Sequence, residues 1–217
     1  MKALLAIIKS YNMGDYIGIH AAHRHDVIPA GTVRFEADMG IDGFTWTKPT
    51  AIETPDASKM HATFFKVGQD GLVPFEFAEG PSPVDVTKIP AEFIPEFAGY
   101  LTKHDLTNVI AMQVGDFAKR DGVDPKSTAE VEIHWGQDLR FTVVMPTSVL
   151  KAGTEKLVAT GWNVPAAGDP EGDPPKGQHW LPVTSPKNTH KVYVDGIEPL
   201  TPDALIQVLV EQEVIVA

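Results

Sequence analysis

Proline and glycine interrupt this chain so often, eighteen of each in 217 residues, that long regular elements have little room to form. Proline fixes φ and removes a backbone donor, and glycine favours turns, so the pattern predicts many short elements joined by turns. With 43% hydrophobic and 8% aromatic residues, the chain has apolar material for a substantial core. It suits a single α+β domain spanning 1–217 better than a helical bundle.

Strand periodicity opens the chain. From Tyr16 to Val27, residues Ile17, Ile19, Ala21, His23, His25 and Val27 fall on one side, and Tyr16, His20, Arg24 and Asp26 on the other. TVRFEA (32–37) and HATFFKV (61–67) repeat the alternation. Residues 39–59 between them, rich in Gly, Pro and acidic side chains, read as a long loop or lid carrying an exposed Trp46. A second loop (79–90) leads to Phe93, Phe97, Tyr100 and Leu101, whose spacing predicts a helix over 94–104 with Pro95 in its first turn. Residues 106–115 read as a buried strand, and AEVEIHW (129–135) with LRFTVVM (139–145) as a hairpin. Further strands are expected over 156–162 and at KVYV (191–194), separated by a Pro-rich surface segment (163–190). Thr201, Pro202 and Asp203 form the start signal of a final helix with Leu205 and Leu209 on its apolar side. The predicted fold is a largely antiparallel sheet or distorted barrel covered by two helices.

A formal charge of −11 disfavours nucleic-acid binding and anionic membrane surfaces, both of which depend on Lys and Arg. With no cysteine, the chain has no disulfide, thiolate nucleophile or zinc finger. Lys9 cuts the apolar run of 3–8 short of a signal-peptide core, so the first residues read as a structured strand or helix. No stretch approaches the roughly 20 apolar residues of a membrane span. A cytoplasmic location is expected, with secretion left open, and self-association into a homo-oligomer is compatible with the composition.

GIHAAHRHDVIPAG (18–31) concentrates His20, His23 and His25. On a strand, His23 and His25 point the same way with Cα atoms roughly 6.6 Å apart, a spacing that suits one ion or one reacting molecule. Their His-x-His spacing resembles the first motif of the cupin family. Pro175, Gly177 and His179 in PPKGQH resemble the second, a Pro-x-Gly followed closely by a histidine. The resemblance implies a metal-dependent enzyme with one divalent ion on His23, His25 and His179. The sequence departs from the pattern in three ways: Pro29 and Ala30 stand near the place of the expected glutamate, one residue rather than two separates Gly177 from His179, and the motifs lie far apart.

A metal-free reading pairs His23 or His25 with Glu36 on the next predicted strand as an acid–base couple. Phe35, Phe64 and Phe65 then supply an apolar wall, Trp46 closes over the ligand, and Arg24 or Arg34 holds a substrate carboxylate. In the hairpin, Glu130, Glu132 and His134 share a face that reads as solvated. Nucleophile-elbow, P-loop, dinucleotide and His-Glu-x-x-His motifs are absent, and the acidic run DPEGDPP lacks the closing glutamate of a calcium loop. The expected function is acid–base chemistry on a small organic molecule, of lyase, decarboxylase, isomerase or hydrolase type, with no cofactor or one divalent metal. A non-catalytic binding or interaction module is the alternative.

Overall fold

A computed structural model describes residues 1–22, 29–117, 128–136, 139–151, 157–164, 179–182, 191–195 and 200–216. Among these residues three helices, α1 (Lys2–Ser10), α2 (Phe93–Lys103) and α3 (Pro202–Glu211), pack on one mixed sheet. The strands are β1 (Ile17–Ala21), β2 (Thr32–Asp38), β3 (Thr45–Ala51), β4 (Met60–Gly68), β5 (Gly71–Glu79), β6 (Ile110–Val114), β7 (Thr128–Trp135), β8 (Leu139–Pro146), β9 (Leu157–Asn163), β10 (His179–Pro182) and β11 (Lys191–Val194). Their order is β10-β9-β1-β6-β4-β5-β2-β3-β8-β7-β11. Most neighbours are antiparallel, while β2–β5, β7–β10 and β7–β11 are parallel. The β7–β10 ladder joins one end of the order to its last strand but one over only two residue pairs, and β11 pairs with β7 farther along.

The sheet curls around a polar side and keeps its apolar side outward, toward the helices. In β1 and β6, Ile17, Ile19, Met112 and Val114 belong to a core that includes Leu4, Leu5 and Ile8 of α1 and Phe93, Phe97 and Leu101 of α2. In β7 and β8, Val131, Ile133, Phe141 and Val143 join Leu205 and Leu209 of α3 in a second core. Because side chains alternate along a strand, burying one set on the helices turns the other set inward. The inward set contains Glu130 and Glu132 of β7, which are buried. The expected solvated face of the hairpin is thus corrected: Glu130, Glu132 and His134 are buried, and Glu130 lines the inside of the curled sheet.

Several sequence expectations match the described elements. Strands fall at 32–38, 60–68 and 110–114, the hairpin is present as β7 and β8, and the helix expected at 94–104 spans Phe93–Lys103. Thr201 caps α3, its Oγ1 accepting from the Ala204 N–H at 3.2 Å. The first residues, read as strand or helix, form α1.

Other expectations are corrected. Residues 39–59 are not one long loop, since β3 runs through them, and Trp46 is buried edge-on against Phe141 with ring centroids 6.2 Å apart. The β3–β8 ladder covers Thr45, Trp46 and Thr47, so Pro49 lies past its end, where that edge of β3 needs no donor. β5 carries Pro74 within a strand, at a point where the β4–β5 register shifts and the ladder is already interrupted. The Pro-rich segment read as surface contributes β10 at residues 179–182. Among the described residues, no helix is long and apolar enough to cross a membrane.

Candidate functional site

The curl of the sheet encloses a cavity of about 920 Å³ lined by residues from β1 through β8. β1 contributes His20, β2 Glu36, β4 Thr63 and Phe64, β5 Phe75 and Glu76, β6 Gln113 and β7 Glu130. Phe44, Phe64 and Phe75 give the wall its aromatic surface.

His20 is held from three directions. Its Nδ1 lies 3.0 Å from the Ala21 carbonyl oxygen, which can only accept, so Nδ1 carries a proton and donates it. Its Nε2 lies 3.5 Å from Glu130 Oε2. The ring meets Phe64 edge-to-face with centroids 5.0 Å apart. The backbone bond fixes the ring with Nε2 beside the Glu130 carboxylate.

Arg34 and Glu76 form a buried pair, Nε to Oε1 at 2.8 Å, and a second guanidinium nitrogen donates to Thr142 Oγ1 at 3.0 Å. Burial pushes the Glu76 carboxyl above the usual carboxylate range. The Arg34 charge opposes this, Glu130 adds to it, and His20 opposes it more weakly. A carboxyl raised on folding holds its proton where the unfolded chain has released it, so its contribution to stability falls as pH climbs above the ordinary glutamate range. Glu76→Gln should therefore gain stability relative to the wild type as pH rises through that window. Urea unfolding across pH checks this, and a difference that stays constant or runs the other way would contradict it.

A break in strand alternation shapes the wall. Ala62 pairs with Phe77 and Phe64 with Glu76, which leaves Thr63 as the extra residue of a β-bulge. Phe65 then pairs with Pro74, which skips Phe75 on the other strand. These shifts let the consecutive residues Thr63 and Phe64, and likewise Phe75 and Glu76, line the same cavity. Thr63 Oγ1 is buried there without a hydrogen-bond partner among the described residues.

Farther along β7, Glu132 accepts from Lys191 Nζ at 3.1 Å and lies 2.9 Å from His134 Nε2, and the His134 ring packs on Tyr193 with centroids 4.6 Å apart. This cluster ties β11 to β7 through side chains as well as backbone.

The sequence candidates divide accordingly. His23, Arg24 and His25 lie outside the described residues, as do Pro175 and Gly177. His179 lies on β10. Glu36 lines the cavity. Arg34 is buried, but its guanidinium is engaged by Glu76 and Thr142. Phe35 follows Arg34 on β2 and so points to the other side of the sheet. Phe65 packs against the α1 and α2 core, and Trp46 belongs to the α3 core. Of the expected aromatic residues Phe64 lines the cavity, where Phe44 and Phe75 join it.

Sequence reasoning named His20 in the histidine cluster without giving it a role, passed over Glu76, Thr63 and Gln113, and took Glu130 as solvated. Several predicted strands repeat a polar residue at every second position, a pattern that a solvated face and the inside of a curled sheet share. Among the described residues, no three His, Asp or Glu side chains gather where they could hold one metal ion. Compared with family models, curated proteins and solved structures, the chain shows no match, so the chemistry of the cavity is read from its own residues.

Proposed function

We propose that this chain is an enzyme that binds a small organic molecule in the cavity and moves a proton on it. His20 takes and returns the proton through Nε2, and Glu130 stabilises the charged ring. The observation that carries this reading is the convergence of His20 and Glu130, 3.5 Å apart, in the wall of a cavity with room for a small molecule. Proton transfer at a carbon or oxygen is common to decarboxylation, dehydration, isomerisation and hydrolysis, and an imidazole beside a carboxylate suits all four.

The test is a thermal-shift screen of small organic compounds, followed by NMR of each stabilising compound for chemical conversion. Expected is at least one compound that raises the melting temperature and is converted, with conversion reduced about a hundredfold or more in His20→Gln while binding persists. Binding without conversion would make the chain a carrier. A screen with no stabilising compound would remove the reading.

A further inference from the structure

We infer that the molecule taken into the cavity is an organic cation, an amine with an apolar or aromatic body. This rests on the proposed small-molecule cavity and names its substrate class. Among the described residues, the lining carries the carboxylates Glu36, Asp38, Glu79, Asp116 and Glu130, with His20 and His61 but no Lys or Arg, while Glu76 in the same lining is paired with the buried Arg34. Asp38 and Glu79 are exposed and Glu130 is buried, so negative groups extend from solvent to the interior. Such an arrangement attracts cations and repels carboxylate or phosphate substrates.

The acidic lining is not the only pointer. Thr63 is 7% exposed, and its Oγ1 has no partner among the described residues while the bulge places it in the wall. A buried hydroxyl calls for a hydrogen-bond partner, and a ligand N–H would supply one. Each carboxylate accepts several hydrogen bonds, so one already made to a protein group leaves capacity for an ammonium. An ammonium offers only donors and matches this set of acceptors. Phe64 and Phe75, 6.1 Å apart at their ring centroids, present the aromatic surface that an apolar body or a cation favours.

Isothermal titration of the full chain with benzylamine, benzyl alcohol and benzoate separates charge from shape, because the three share one ring. Benzylamine should bind about tenfold or more tightly than benzyl alcohol, with benzoate weakest. Glu130→Gln should weaken benzylamine about tenfold and leave benzyl alcohol unchanged. If that variant does not fold, Glu36→Gln provides the same comparison from a half-buried position. Benzoate or benzyl alcohol binding as tightly as benzylamine would overturn the inference while leaving the cavity reading in place. Failure of benzylamine to bind would also overturn it, and would remove the cavity reading as well if no compound of the wider screen binds.

Discussion

Arg34→Met is expected to destabilise the protein by about 3–5 kcal/mol at neutral pH, because it removes one partner of a buried ion pair and strands the other. Arg34 is 4% exposed and Glu76 7%, so the pair is almost wholly withdrawn from water and the stranded carboxylate keeps most of its desolvation cost. Thr142 Oγ1 loses its donor in the same change. The loss should shrink in mild acid, where Glu76 can take up a proton and no longer carries a buried charge. The double variant Arg34→Met/Glu76→Leu should recover most of the stability, since apolar replacement of a whole buried pair is often neutral or better. Urea unfolding of the two variants at two pH values checks all three statements. A single variant as stable as the wild type would show that the pair contributes nothing.

Phe97→Ala should cost a comparable amount, about 3–5 kcal/mol, for a different reason. Phe97 is fully buried beneath α2, with Phe93 at 5.9 Å between ring centroids, in the core that joins α1 and α2 to β1 and β6. Truncation leaves a void that the two helices and the sheet cannot close together. Gly99 on the same helix gives the opposite expectation. A Cβ there meets nothing within 4 Å, so Gly99→Ala should stabilise by about 0.5–1 kcal/mol through helix propensity alone. Equal effects from the two substitutions, read by thermal or urea unfolding, would place α2 wrongly on the sheet.

The helices were legible because their apolar stripes and end signals are local. Phe93, Phe97 and Leu101 recur at helical spacing, and Thr201 with Pro202 marks a start that no distant contact has to supply. The β7–β8 hairpin was legible for the same reason, with Gly136 at φ +63° in its turn. β3 and β5 were not, because Pro49 and Pro74 signal breaks in a sequence, and only the pairing around them shows that no donor is missed. The inside of the sheet was illegible for a deeper reason. Period two tells which residues share a face, but not whether that face meets water or the opposite wall of a curled sheet. Glu130 and Glu132 therefore carried the same local signature as solvated residues. Glu36 was reached because it lies on a predicted strand; Thr63 was not, because a bulge is a property of two strands read together.

The separation of apolar outside from polar inside has an evolutionary consequence. Residues that hold the helices on the sheet and residues that face the cavity occupy alternate positions of the same strands. A change at Phe64, Gln113 or Glu36 can alter what the cavity accepts without removing a side chain from either helix-covered core. Function-altering substitutions in such a sheet can accumulate with little erosion of the stability margin that most mutations consume. Glu76 is an exception, since it lines the cavity and also holds the buried Arg34, and so are Phe44 and Val114, which line the cavity and belong to the two cores; there selection on the lining and selection on the wall act on the same side chain.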